Sequence, residues 1–363
     1  MHLAWISLAE FRSYTALEWT PDPGVNVLVG QNGAGKTNLL EGIGYLSTLR
    51  SFRRAPDEAM VAFDAESAFV RGEVVDGESS SVIEIELRRR GGRRALVNTQ
   101  RLARAADLLG HVRLVAFLPE DLDIVKRGPS YRRDFLDDLA VQLWPGSHLD
   151  QAEFDRALRQ RNAFLKHGGH DELTLSVWDE RLSQAGGKVM SRRARAMQAV
   201  LVHLAEAHAK VAGDDDGVGL EYRSDWGGTL DPAVSVGEHA ETLAAALAER
   251  HRHDRDRRVT SAGPHRDDPV LMLGGHDARY QASQGEQRTI SLALRLASHL
   301  AITEVAGISA VLLLDDVFSE LDPDRAGALT GALPRAQTFV TTAHPQDVPL
   351  PGRWWTVAGG AVS

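Results

Sequence analysis

The chain has 363 residues, 43% of them hydrophobic and 25% charged, which excludes intrinsic disorder and supplies enough apolar material for two lobes with a real core. It has no cysteine, so disulfides, thiolate metal centres and cysteine nucleophiles are excluded. The formal net charge of −9 argues against coating nucleic acid with the whole surface, and any contact with phosphates must be local.

The opening MHLAWISLAEF lacks the basic region and apolar stretch of a signal peptide. No apolar run approaches the roughly 20 residues of a membrane span, so a cytoplasmic protein is expected. Val25 to Val29 is a continuous apolar run ending in Gly30, the pattern of a buried strand feeding a loop. In SVIEIEL, Ile83, Ile85 and Leu87 alternate with Glu84 and Glu86, which predicts a half-buried strand. A further strand is expected over Leu114 to Phe117.

From about Ser130 the period changes to that of helices: Phe135, Leu139 and Leu143 recur every four residues, and Val189 to His208 and AETLAAALAER continue the texture. GDDDGVG and DWGGTLDPAVSVGE interrupt it and read as loops. Strands return at Ala310 to Leu314, Thr338 to Thr342 and Trp354 to Val357. A helical lobe is therefore inserted into a strand-rich one. Arginines cluster at Arg88, Arg89, Arg90, Arg93 and Arg94, at Arg132 and Arg133, at Arg192, Arg193 and Arg195, and from Arg250 to Arg258. Taken alone, each cluster reads as a solvated face.

Gly30-Gln31-Asn32-Gly33-Ala34-Gly35-Lys36-Thr37 fits the phosphate-binding pattern G-x-x-x-x-G-K-[ST], after a predicted strand and before the helical run that starts at Asn38. Its glycines let backbone N–H groups and a helix N-terminus point at phosphates, Lys36 supplies charge to the β/γ oxygens, and Thr37 offers a hydroxyl to Mg²⁺. The strand Val311 to Leu314 runs into Asp315 and Asp316. Asp315 is assigned to the metal, through water, and Asp316 to positioning or deprotonating the attacking water. Ser283-Gln284-Gly285-Glu286 precedes an apolar-periodic helix, and by itself Ser283 with Glu286 is a capping box.

These blocks resemble the ATPase heads of the ABC and SMC class. SQGEQ resembles the signature motif of that class, about 30 residues before the acidic strand, and Phe318 to Asp322 resembles its D-loop, with Ser319, Glu320, Leu321 and Asp322. The resemblance implies that Ser283, Gln284, Gly285 and Glu286 cap the γ-phosphate held by another subunit. Roughly 250 residues separate the phosphate loop from the signature, more than in a transporter subunit, and no sustained heptads follow, unlike the SMC arms. The expected fold class is α/β: a P-loop ABC/SMC-type ATPase head with an inserted, mainly helical second lobe and no long coiled coil. Expected boundaries are 1–122 and 300–363 for the ATPase lobe and 123–299 for the second lobe.

Pro119 to Asp137, PEDLDIVKRGPSYRRDFLD, closely resembles the RecF family signature, departing at Arg127 where that family usually has Gly. FRSY (Phe11 to Tyr14), TNLLEGIGYLSTLRSFR, GPHRDD (Gly263 to Asp268) and LLLDDVFSELD carry the same resemblance. It implies a weak ATPase, without nuclease or helicase activity, that dimerises with ATP and binds DNA where duplex meets single strand. It also implies RecR and RecO as partners, with RecA loaded indirectly. Arg132, Arg133, Arg192 and Arg193 are the candidate DNA contacts. Leu118-Pro119-Glu120 stands where related ATPases carry a Gln after the strand, so no Q-loop residue is assigned; His344 is the candidate switch residue. The rival readings are an OLD-type nucleotide-gated nuclease head, which needs a further acidic metal domain, and a transporter ATPase subunit, which needs a membrane partner.

Overall fold

Apolar alternation builds the first sheet. Strand β1 (His2–Phe11) buries Leu3, Ile6, Leu8 and Phe11, and a bulge between Leu3 and Trp5 accounts for the odd spacing from Leu3 to Ile6. After β2 (Tyr14–Trp19), β3 (Val25–Val29) runs into the phosphate loop and α1 (Lys36–Thr48). Next come β4 (Ser67–Asp76), β5 (Ser79–Arg88), β6 (Arg93–Val97), β7 (Gln100–Arg101) and β8 (Leu114–Phe117). An antiparallel sheet forms in the order β2-β1-β4-β5-β6-β7. Ile83, Ile85 and Leu87 of β5 are buried, as their alternation predicts.

The computed structural model describes residues 1–168, 171–213 and 217–363. The chain divides into two compact units. The first is Met1–Asp121, Glu206–Asp214 and Leu292–Ser363, and the second is Leu122–Ala205 and Asp215–Ser291. Of the expected GDDDGVG loop, Asp214 to Asp216 lie outside the described residues.

The second unit carries α2 (Leu122–Lys126), α3 (Pro129–Leu143), α4 (Ser147–Lys166) and most of α5 (Glu172–Ala212). A strand follows that the sequence reading missed, β9 (Gly219–Arg223), and then α6 (Val236–Glu249) and α7 (His251–Arg257). The last residues of DWGGTLDPAVSVGE belong to α6, where Ser235 and Glu238 form a capping box, and not to a loop. β10 (Asp268–Leu273) pairs antiparallel with β9 and with β11 (His276–Asp277), ahead of α8 (Ala278–Gln281) and the start of α9 (Gln284–Ala306). Phe154, Leu182, Val189, Met190, Trp226, Leu243 and Leu247 form this unit's apolar cluster. Gly186 and Gly187 let α6 close on α5, because a Cβ there would lie 2.4 Å from Leu243 Cδ2 or 2.5 Å from Val236 O. The expected boundary at 299/300 falls inside α9, where a continuous helix offers no break in composition; the units divide at 291/292.

The chain returns to the first unit with β12 (Val311–Asp315), α10 (Pro323–Ala332), β13 (Thr338–Thr342), β14 (Arg353–Ala358) and β15 (Ala361–Val362). A second sheet forms in the order β15-β14-β3-β13-β12-β8, parallel except for β15. The carboxyl ends of β3, β13 and β12 thus lie side by side, where parallel sheets hold ligands. No helix among the described residues is long and apolar enough to cross a membrane.

Candidate nucleotide site

Residues Gly30 to Gly35 link β3 to α1 as a curled loop. Gly33 (φ 82°) and Gly35 (φ 105°) occupy the left-handed region that favours glycine. Gly30 has no room for a side chain, since a Cβ would come within 2.4 Å of Val357 O. Lys36 is buried, and its Nζ donates to the loop's own carbonyls, Gly30 O at 2.7 Å and Gln31 O at 3.1 Å. Burial lowers its pKa, and the carboxylates of Asp316 and Asp315 work against that shift.

Asp315, at the end of β12, is buried and accepts two hydroxyl hydrogen bonds on Oδ1, from Thr341 at 2.6 Å and from Thr37 at 3.0 Å. Burial raises its pKa, the two hydroxyls oppose that, and Asp316 adds to the rise. Asp316 has a positive φ of 52°, and its N–H donates to Thr341 Oγ1 at 2.9 Å. Its Oδ1 is buried with no hydrogen-bond partner. An unsatisfied buried carboxylate oxygen, a lysine resting on loop carbonyls and an open glycine loop fit a polyphosphate with a divalent cation. Thr37 and Asp315 are the groups that would hold the metal.

Of three neighbouring features, only Asn38 is among the ATP-binding residues expected from sequence; Tyr14 and Glu41 carry no such assignment. Tyr14 Oη donates to Gly35 O at 3.1 Å, and burial pushes its pKa up to about 12, so it stays a donor. Asn38 Nδ2 donates to Ser13 Oγ at 2.9 Å. Glu41, fully buried in α1, binds Arg12 through two hydrogen bonds of 2.7 and 3.0 Å and accepts from Ser51. The FRSY and TLRSFR segments were the signal: Tyr14 holds the phosphate loop at Gly35, and Arg12 and Ser51 hold α1 at Glu41.

His344 follows β13 at the same sheet end. It is exposed, and its backbone exchanges hydrogen bonds with the Thr342 hydroxyl. In the D-loop, Ser319 Oγ donates to Asp316 O at 2.8 Å, and Asp322 caps α10 through Arg325 N–H at 2.9 Å. Glu320 and Leu321 lie between them.

In the second unit, Ser283 and Glu286 form the expected capping box at the start of α9, with Ser283 and Gln284 exposed. Gln287, one turn in, is buried and donates to Ala278, Arg279 and Ala282 carbonyls. The arginines expected to meet DNA are placed differently. Arg132 and Arg193 are buried, the first paired with Asp268 and the second with Asp137 and Pro264 O. Their donors are committed inside the unit, which corrects the expectation of a phosphate contact at these two positions. Arg133 donates to Asp267 O at 2.7 Å, while Arg192 pairs with Asp150 and stays part-exposed.

A curled phosphate loop on a parallel sheet, with two aspartates at the end of the next strand but one and a helical insertion, defines a P-loop ATPase head of the SMC class. The family model described as RecF/RecN/SMC N terminal domain matches residues 2–349. The chain belongs to the RecF family. It is 39% identical over 396 residues to the DNA replication and repair protein RecF of Arthrobacter sp. (strain FB24), covering 100% of this chain and 98% of that one. It is 40% identical over 374 residues to the protein of that name from Streptomyces avermitilis, covering 100% and 99%. A solved structure of the recombination mediator protein RecF-ATPrS in the RecFOR pathway has a TM-score of 0.91 at 31% identity, covering 100% of this chain and 97% of that one. An Smc head bound to the C-terminal winged-helix domain of ScpA shares the fold, with a TM-score of 0.54 at 16% identity.

Proposed function

We propose that the chain is an ATP-dependent DNA-binding protein of recombinational repair, in which ATP with Mg²⁺ joins two copies head to head and hydrolysis separates them. The observation that carries this is Asp315, fixed by Thr37 and Thr341 beside a buried Lys36 and an unpartnered Asp316 oxygen. The unit that carries Met1–Asp121 and Leu292–Ser363 acts as the ATPase lobe, and the unit that ends at Ser291 as the second lobe. Mg²⁺, when bound, neutralises charge on the phosphate oxygens. Lys36 exchanges its two loop carbonyls for β/γ oxygens, Thr37 and Asp315 hold the metal, and Asp316 orients the attacking water. Gly30 to Asn38 wrap the phosphates. Ser283 to Glu286 of a second copy close over the γ-phosphate, with Ser319 to Asp322 lining the joint and His344 as the switch residue.

Membership of the RecF family supports the DNA role, and the name of the solved RecF-ATPrS relative supports partners of the RecFOR pathway. The substrate is duplex next to single strand, bound in the cytoplasm with RecR and RecO to assist RecA loading. The ATPase is weak, a timer with no nuclease or helicase step. Sedimentation and binding to gapped DNA, each with and without ATP, test this reading. Dimers and DNA complexes that appear with ATP and disappear after hydrolysis are expected. A monomer that binds ATP yet never associates with DNA would overturn it.

A further inference from the structure

With Arg132 and Arg193 turned inward, the positive charge available to phosphates lies elsewhere, and within the first unit it concentrates at the turn between β5 and β6. Between Glu86 and Arg94 the chain carries five arginines and one carboxylate, in a protein of net charge −9. Two of the five are structural. Arg89 donates to Ala65 O at 2.9 Å and to Phe63 O at 2.9 Å, and also to Ala62 O, fastening the turn to the loop from Val61 to Ala65. Arg93 pairs with Asp57 at 2.9 Å and donates to Leu49 O. The other three face outward. Arg88 and Arg94 share the single carboxylate of Glu86, the first at 2.7 Å and the second at 3.6 Å. Arg90 is exposed and makes no ion pair or hydrogen bond among the described residues.

Aromatic side chains stand among these charges. Phe69, opposite Glu86 in the β4–β5 register, is on the exposed face, and Phe63, on the loop that Arg89 fastens, is 92% exposed. A loop held by an arginine through several carbonyls has little freedom to bury that ring, so its exposure is built in. The exposed Asp64 and Glu66 follow Phe63 in the chain and repel phosphates there, leaving a base rather than a phosphate as the group that fits against the ring. Gly91 and Gly92 have positive φ, 108° and 80°, and their small bulk leaves the turn open to a backbone.

We propose that this rim of the first unit, Arg88, Arg90 and Arg94 with Phe63 and Phe69, is a nucleic-acid surface that holds phosphates through its arginines and stacks an unpaired base on Phe63. It rests on the DNA-binding reading above and locates the contact. Among the described residues Arg90 has no partner to give up and Arg94 reaches Glu86 only at 3.6 Å, so both are available to phosphate oxygens beside the Glu86-bound Arg88, and an exposed aromatic suits any base because every base has a π-face.

The test uses the full chain with ATP and a fluorescein-labelled duplex bearing a single-stranded tail, beside the same duplex with blunt ends. Arg90→Glu/Arg94→Glu is expected to weaken both complexes at least about tenfold and to flatten the log affinity against log salt slope by about 2. Phe63→Ala is expected to weaken only the tailed complex, by about tenfold. ATP affinity and melting temperature are the controls for folding and are expected to hold. If the unaltered chain binds DNA and the double variant binds it equally with the same salt slope, the assignment is overturned and the rim belongs to an acidic protein partner. If the unaltered chain binds neither probe, the DNA-binding reading itself fails.

Discussion

Arg132 and Asp268 form a two-pronged pair, with Nε donating to one carboxylate oxygen at 2.6 Å and NH2 to the other at 2.9 Å. The remaining donor, NH1, reaches Arg127 O at 2.8 Å and Ile124 O at 3.2 Å, so one guanidinium joins α2, α3 and β10. Arg132→Ala therefore leaves a part-buried carboxylate without its two-pronged partner and takes a donor from two carbonyls, at a cost of about 3 kcal/mol. Lysine restores one prong and is expected to recover less than half. Urea unfolding measures this. A stability change under about 0.5 kcal/mol would mean the pair is a surface contact.

Lys36→Met removes the only positive side chain of the phosphate loop and is expected to weaken ATP binding at least about tenfold, and any ATP-driven dimer with it. Asp316→Asn keeps the metal contact of Asp315 and is expected to bind ATP normally while hydrolysing it at least about a hundredfold more slowly. A fluorescent ATP analogue and a phosphate-release assay separate the two. Lost binding in Asp316→Asn would exchange the roles of the two aspartates.

Ser283 separates a helix cap from a trans phosphate contact. As a cap alone, Ser283→Ala costs about 1 kcal/mol of stability and Ser283→Asp, another good cap, is harmless. As the γ-phosphate contact of a second copy, Ser283→Asp sets charge against charge and Ser283→Arg is too bulky, so both are expected to bind ATP as monomers and fail to dimerise. Sedimentation with ATP decides. Normal dimers from both variants would leave only the cap.

His265 makes the second unit acid-sensitive. Burial lowers its pKa to about 4 from 6.5, helped by Arg266, Arg133 and Arg193, while Thr260 O opposes the shift. Its Nδ1 is buried with no partner, so a proton there would be a charge without an acceptor. The folded state therefore keeps the neutral ring, and its stabilisation is present above the unfolded pKa and lost as pH falls. Between about pH 6.5 and 4 the loss is on the order of 3 kcal/mol. Denaturant midpoints for the chain and for His265→Gln are expected to diverge over that window, the variant falling less. Parallel curves would show that the ring is protonated in the fold.

Local patterns carried much of this protein. The strand read as Val25 to Val29 is β3 residue for residue, because a continuous apolar run closed by glycine describes a buried strand wherever it lies. The phosphate-loop motif was legible because its chemistry lies in the backbone, and left-handed glycines at 33 and 35 are a local property. RecF membership was legible for the same reason, as blocks of adjacent residues. β9 was missed: Leu220, Glu221, Tyr222 and Arg223 do alternate, but over only four residues between glycine- and aspartate-rich segments, and pairing with β10 is what holds them as a strand.

What tertiary structure alone decided was the fate of charge. Arg132 and Arg90 look alike in sequence, each in a run of arginines. Yet Arg132 meets its carboxylate 136 residues away and is buried, and Arg90 stands on a turn with no partner among the described residues. Periodicity and turn chemistry act over a few residues, so the sequence displays them directly. Desolvation and ion pairing depend on which distant segments the fold brings together, and that determines which arginines can still reach a phosphate.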